Sequence, residues 1–555
     1  MKLEISRRSL FKGVSGVGLL SASSALLGRP ADAHSVSGAE TPGCGPIVET
    51  QNGKVRGVLK DGLEEFRGIP YGATTHGSNR FMPPQPVESW TGVREALTCG
   101  SPCPQYNPWQ VFYVDPQPMS EDCLVLNVWS PADRDKSEPL PVMVWIHGGG
   151  FSSESGGTPA YAGDGLAKSG NVVVVSLNHR LNIFGYSYLM EGASDRFANS
   201  ANLGHQDLVQ ALKWVRDNIE QFGGDPSNVT IFGESGGGAK VSSLIAMPSA
   251  QPLFHKAIVQ SGSQLRAGTP EEGMAMARRV YKHLDVKVGD VEALQAFSTN
   301  TILQTFLTLS GQPMDDGSMP RYETIVDGNW LPHHPFDVQA PEFAATIPMM
   351  IGTTKEEDSL FLGEQMKGDL STDEKIVDTL LASSFRSAAQ PRSYYENLVQ
   401  LYRKQMPALS PERLFIQIST DNGWRRPAIK QAELKLAAGG PPVFMYEFAW
   451  QSPYMDDEWA FHGIDLPYML GHPDHSPGQD GDSQPLREDA DPDGNRYKLA
   501  DSATKAWAAF ARTGNPSTAA LEWPEYDLDD RKTMIFDANC TVVSDPRGFA
   551  REAMS

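Results

Sequence analysis

The sequence predicts an α/β fold with a large, mostly parallel central sheet flanked by helices. Three observations predict it. Near-continuous apolar runs such as Val142 to Ile146 and Val172 to Leu177 have the composition of strands buried on both faces. Helical patterns separate these runs, the clearest from Gln206 to Phe222, where Leu208, Ala211, Leu212, Val215 and Ile219 recur at close to helical spacing. Alternating strands and helices imply a doubly wound sheet. Finally, Gly233-Glu234-Ser235-Gly236-Gly237 sits between the β-type run Val229 to Phe232 and the helix-compatible Lys240 to Ala246. A serine at such a strand-turn-helix junction is lifted off the sheet, and glycines beside it avoid collision with strand and helix.

At 555 residues, 40% hydrophobic and 21% charged, the chain has the composition of a globular protein with a large core. Length alone allows two to four domains. The strand pattern instead favours one sheet carrying insertions. The N-terminus joins a basic section holding Ser6-Arg7-Arg8-Ser9-Leu10-Phe11-Lys12 to a modest apolar run, Val14 to Leu27, and then Ala31-Asp32-Ala33. This is the pattern of a cleavable export signal, similar to the twin-arginine type, occupying residues 1–33 and leaving 34–555 as a single domain. The run is too short and too rich in glycine and serine for a membrane span. Its removal takes the net charge from −21 to about −24. A surface that acidic repels nucleic acid and anionic lipid, so no nucleic acid and no stable membrane insertion are expected, while the charge says nothing positive about the substrate.

Export makes disulfides permissible. Cys103 and Cys123 bracket a 20-residue loop, and closing it would contribute about 3 kcal/mol on a chain-entropy account. Cys99 is a rival partner for Cys123, and Cys44 and Cys540 have no assigned partner. The cysteine spacings match no zinc site.

Further strands are expected at Gly53 to Gly57, Phe66 to Tyr71, Leu124 to Trp129, Ala257 to Gln260, Pro348 to Gly352 and Pro442 to Phe448, with a late helix from Leu499 to Thr513. Residues 267–340 and 364–435 read as largely helical insertions covering the sheet. The acidic segment Asp489 to Gly494 imitates the start of a calcium loop, but Ala500 stands where the twelfth-position glutamate belongs, so a solvated loop is expected. The run Val142 to Ile146 leads into His147-Gly148-Gly149-Gly150-Phe151, and three glycines there allow backbone N–H groups to approach a ligand closely.

A serine hydroxyl becomes a nucleophile when an imidazole takes its proton and a carboxylate orients that imidazole. With this type of serine turn, acid and histidine follow in that order. Glu357 and His462 fit, but so do His255, His472 and several aspartates, and chain order alone leaves the choice open.

The stretch Phe222 to Gly237 resembles the serine signature of the type-B carboxylesterases, the cholinesterase and carboxylesterase family. Glu121 to Trp129 is similar to its second signature, and Phe66 to Tyr71, Asn178 to Gly185 and Phe510 to Pro516 are family-like blocks. The resemblance spans essentially the whole chain beyond residue 33 and is strongest to bacterial para-nitrobenzyl-esterase-like members. It implies an α/β-hydrolase fold and a serine hydrolase that cleaves carboxylic esters through an acyl-enzyme, without metal or cofactor. By position it assigns Ser235, Glu357 and His462 as the catalytic triad. The backbone N–H groups of Gly149, Gly150 and Gly236 become the oxyanion hole. Gly236 is usually alanine in the family, a change to which a backbone donor is expected to be indifferent. Asp358 stands where a glycine normally follows the acid, which leaves the adjacent Glu356 as an alternative. Ser261 resembles a serine that hydrogen-bonds the acid, and the family pairing favours a Cys103–Cys123 disulfide. Trp109, Phe112, Tyr113, Trp424, Trp459 and Phe461 are candidates for an aromatic gorge, with ordinary packing the commoner role for each. The resemblance also admits a catalytically silent binding or adhesion protein and a lipase or polyester hydrolase. Retention of the serine, the histidine and the glycine loop speaks against the first.

Overall fold

The computed structural model describes residues 45–106, 117–135, 137–361, 369–383, 390–453, 459–474 and 484–555. The expected export signal (residues 1–33), Cys44, Trp109, Phe112 and Tyr113 lie outside them. Fourteen strands are formed by the described residues: β1 (Ile47–Thr50), β2 (Gly53–Arg56), β3 (Val58–Lys60), β4 (Leu63–Pro70), β5 (Val93–Glu95), β6 (Val125–Pro131), β7 (Leu140–Ile146), β8 (Val173–Leu177), β9 (Gly224–Glu234), β10 (Lys256–Gln260), β11 (Met349–Thr354), β12 (Val443–Phe448), β13 (Lys532–Phe536) and β14 (Thr541–Ser544). Strands β1, β2 and β5 form a small separate sheet. The other eleven are ordered β14-β13-β12-β11-β10-β9-β7-β8-β6-β4-β3. From β8 to β13 every neighbouring pair is parallel, and antiparallel strands flank this block on both sides.

The central strands are buried on both faces, as their unbroken apolar runs imply. In β7, Val142, Val144 and Ile146 enter one hydrophobic cluster while Met143 and Trp145 enter the other. The predicted helix after β8 runs Leu203–Asn218, and its five periodic residues, with Ile219 just beyond the helix, are all fully buried. The insertions contribute helices Pro270–His283, Thr299–Ser310, Asp373–Ser383, Arg392–Gln405, Pro411–Thr420 and Arg426–Ala438. The late helix is longer than expected, Asn495–Thr513. Gln484–Ala490 is helical rather than a loop. Asp491 accepts from the N–H groups of Asn495 and Arg496, both at 2.9 Å, so it caps the following helix.

Cys103 and Cys123 are both buried, but they are free thiols and no disulfide joins them, contrary to the expected pairing. A hydrogen bond to Cys103, ahead of burial, pushes the Cys123 thiol well up, so the two sulfurs are close neighbours. Among the described residues no helix is long and apolar enough to cross a membrane.

Candidate active site

Strand β9 ends at Glu234, and the helix Gly236–Ala246 begins two residues later. Ser235 between them adopts φ 56° and ψ −123°, a region that non-glycine residues avoid and that costs of order 1–3 kcal/mol. Its neighbours hold it there: Ser235 N donates to Gln260 O at 2.9 Å, and Ala239 N donates to Ser235 O at 3.1 Å. The turn therefore projects the serine side chain into a cavity of about 1170 Å³, which is also lined by Gly149, Gly150, Gly236, Glu234 and His462. Gly149 and Gly150 take φ of +68° and +62° at the end of β7, which explains why the chain uses glycine there.

His462 is buried, and its Nδ1 lies 2.6 Å from Glu357 Oε2. The other carboxylate oxygen of Glu357 accepts from Thr354 N at 2.7 Å, which anchors the acid in the turn just beyond β11. On the opposite edge of the imidazole, Nε2 is 2.9 Å from Glu234 Oε1, within ion-pair distance, although neither atom makes a well-directed hydrogen bond. Burial disfavours the imidazolium, but Glu234 and Glu357 together outweigh it and raise the His462 pKa to about 10. Glu234, the second residue of the G-x-S-x-G, was treated in the sequence only as part of the motif. Its charge could have been noticed there, but its contact with His462 could not.

Of the alternatives left open by chain order, the structure brings none to the serine. Glu356 is committed elsewhere: Oε1 accepts from Arg413 Nη1 at 2.6 Å, while Oε2 accepts from Gln451 Nε2 at 2.8 Å and Ala460 N at 2.9 Å. His255 Nδ1 accepts from Val229 N, and His472 pairs with Asp164. Asp358 accepts from Trp424 Nε1 at 2.8 Å and so fixes the π-helical turn Asp421–Arg425 that carries this tryptophan. Ser261 lines the cavity, but its hydroxyl finds no hydrogen-bond partner among the described residues. The expected bond from Ser261 to the acid is not made: the oxygens of Glu357 pair with Thr354 N and His462 Nδ1, and Ser261 Oγ has no partner among the described residues.

Among the gorge candidates, Trp424 and Phe461 line the cavity, and the Trp424 ring centroid is 4.4 Å from that of His462. Trp459 packs instead beneath the guanidinium of Arg413, 4.4 Å from its ring centroid. Phe151, Phe306, Tyr322 and Phe361 also line the cavity without having been singled out. Only Phe151 carried a signal, its place directly after the glycine loop. The described residues contain no cluster of acidic, histidine or cysteine side chains suited to a metal ion.

The family model that matches the chain, described as the carboxylesterase family, covers residues 45–548. Para-nitrobenzyl esterase of Bacillus subtilis (strain 168) is 36% identical over 509 residues, 92% of this chain and 98% of that protein. Liver carboxylesterase of Sus scrofa is 34% identical over 537 residues, 90% of each chain. A solved structure of a PNB esterase superimposes with a TM-score of 0.76 at 34% identity, covering 92% of this chain and 99% of that one. With an α/β-hydrolase sheet and a serine turn opening into a large cavity, the chain belongs to the carboxylesterase family and is a carboxylic ester hydrolase.

Proposed function

We propose that Ser235, His462 and Glu357 hydrolyse esters through an acyl-enzyme. The observation that carries this reading is the 2.6 Å contact between His462 Nδ1 and Glu357 beside a strained serine in the same cavity. As Ser235 Oγ bonds to the ester carbonyl carbon, His462 Nε2 takes the hydroxyl proton. The developing oxyanion is stabilised by the N–H groups of Gly149, Gly150 and Gly236, and one such donor is worth about 2.7–4 kcal/mol in the barrier. The carbon–oxygen bond to the alcohol then breaks, and the alcohol leaves with the proton from His462. Water attacks the acyl carbon, gives a proton to His462, and the acid departs as that proton returns to Ser235. Glu357 stabilises the imidazolium throughout and keeps the ring oriented.

A cavity of about 1170 Å³ is larger than small esters need, which supports substrates with a bulky aryl, benzyl or extended acyl group. The test is Ser235→Ala assayed on p-nitrophenyl acetate and butyrate, with thermal unfolding followed in parallel. Turnover should vanish while the melting temperature is preserved, and retained turnover would sink the mechanism. A series of acyl lengths run beside aryl and benzyl esters then defines the substrate. The basic section, the apolar run and Ala31-Asp32-Ala33 support an enzyme outside the cytoplasm, secreted or periplasmic, with residues 1–33 directing twin-arginine export of the single domain 34–555. A mature N-terminus at His34 supports this, and an unprocessed cytoplasmic protein contradicts it.

A further inference from the structure

A lysine lies behind the glycine loop, on the buried side of the helix that follows Ser235. Lys240 has no solvent exposure. Its Nζ donates to His147 O at 3.1 Å and to Gly148 O at 3.4 Å, and it stands 5.4 Å from the centroid of the Phe151 ring. Burial pulls its pKa down to about 7, and Glu154 provides the attraction that opposes this. The buried rings of His147, His179 and His205 lose proton affinity through burial, and the Lys240 charge adds to the effect. Of the basic groups gathered here, the lysine is therefore the one best able to hold a proton.

Burying an ammonium is costly unless its charge is used. Its placement suggests the use. In a trans peptide the C=O and N–H point in opposite directions from one plane, so the Gly148 carbonyl held by Lys240 belongs to the same rigid unit as the Gly149 N–H. The other two donors are braced in the same sense. Gly149 O, behind the Gly150 N–H, accepts from Ser152 N and Ser153 N, both at 3.1 Å. Ser235 O, behind the Gly236 N–H, accepts from Ala239 N at 3.1 Å. Of these three units, the Gly148–Gly149 one alone accepts from a lysine side chain among the described residues.

Glu154 supports the arrangement from below. It is held at φ 73°, an unfavourable conformation for a residue with a side chain. Its Oε2 accepts from Tyr161 Oη at 2.6 Å. A Cβ built on Gly148 would lie 3.2 Å from that same oxygen, so the carboxyl sits directly against the loop.

We propose that Lys240 is a positioning residue of the oxyanion hole, fixing and polarising the Gly148–Gly149 peptide so that the Gly149 N–H meets negative charge forming on the substrate. The inference rests on the acyl-enzyme reading above. Its effect belongs to the transition state and not to the bound ester, so the two can be separated.

The test compares Lys240→Met, Lys240→Gln and Ser235→Ala on p-nitrophenyl butyrate, with phenylboronic acid as a probe that becomes a tetrahedral anion on the serine. For Lys240→Met, kcat should fall about 10- to 100-fold, less than or comparable with the loss of a whole donor, while KM stays within about threefold. Phenylboronic acid affinity should weaken by the same factor as kcat. Lys240→Gln, which keeps a neutral donor, should fall between Lys240→Met and the unmodified enzyme, and it decides the matter if Lys240→Met does not fold. A folded variant with kcat and boronate affinity within threefold of the unmodified enzyme overturns the proposal. Failure of both variants to fold also overturns it, because a purely structural lysine then suffices. Turnover by Ser235→Ala would instead remove the acyl-enzyme reading, whatever the lysine variants do.

Discussion

Replacing Gly236 by alanine tests how tightly the serine turn and the glycine loop are fitted together. The family resemblance suggests the change is harmless, because the N–H group is retained. The geometry says otherwise: a Cβ on Gly236 would lie 2.0 Å from Gly150 O and 2.5 Å from both Gly150 C and Gly150 Cα. Carbon and oxygen atoms that are not bonded sit no closer than about 3.3 Å, so the loop and the turn must separate by about 1.3 Å. All three atoms are backbone, and no side-chain rotation relieves the contact. A displacement of about 1 Å in a catalytic constellation can cost about 100-fold, equivalent to about 2.7 kcal/mol in the barrier. At this first helical position alanine restricts the unfolded chain relative to glycine by about 0.4–1 kcal/mol, which offsets part of the cost of the displacement. Gly236→Ala should therefore lose kcat on p-nitrophenyl butyrate by about two orders of magnitude with little change in melting temperature. Activity within threefold of the unmodified enzyme, together with an unmoved Gly150 in a crystal structure of the variant, would refute the reasoning.

Three further substitutions test the carboxylates that face His462 and the one beside them. Glu357→Gln should lower kcat/KM by several hundredfold or more, since the imidazole loses the group that orients it and stabilises its charge, an interaction worth about 10⁴ in a comparable triad. Glu356→Gln, assayed in parallel, should act chiefly on stability through Arg413, Gln451 and Ala460, and a kinetic loss confined to Glu356 would reverse the assignment. Glu234→Gln should move the acidic limb of the kcat/KM profile to lower pH by about 1–3 units, because a unit charge at this range is worth a few kcal/mol at an effective dielectric of 20. The direction follows from His462 being raised to about 10, where only the neutral imidazole can accept the serine proton. The stability effect has the opposite pH range. A raised histidine pKa contributes most below its unfolded value near 6.5 and nothing above about 10, so Glu234→Gln should be most destabilised in acid and match the unmodified enzyme in alkali. A pH profile that does not move refutes the coupling.

The parts of this protein that could be read from its sequence are those where one residue type satisfies one local demand. Strands β7 and β8 need apolar side chains on both faces, and the seven consecutive buried residues of β7 announce this directly. The serine turn and the glycine loop need glycine at positions where a side chain does not fit. Strand β14 was missed because it closes the sheet at its edge, where Thr541–Ser544 is exposed throughout and carries no continuous apolar run. The gorge aromatics Phe306 and Tyr322 were missed because they come from insertion segments that reach the cavity only after folding.

Charged residues mark the limit of such reading. Glu356 and Glu357 are adjacent, chemically alike and both buried, yet one anchors Arg413 and the other faces His462. Their side chains leave the 3₁₀ turn in different directions, and residue type carries no trace of that. Lys240 and Glu154 have the same property. In the sequence Lys240 is one polar position in a short helix and Glu154 one residue in a Ser/Gly-rich turn. Folding places Lys240 behind the loop that holds Gly149 and Gly150, where its Nζ reaches His147 O and Gly148 O, and brings the Glu154 carboxyl against Gly148 at the cavity wall. Groups that touch the substrate are restricted to a few chemical types and can be found by motif, whereas groups that act through a peptide plane have no required type and can be found only in the folded chain.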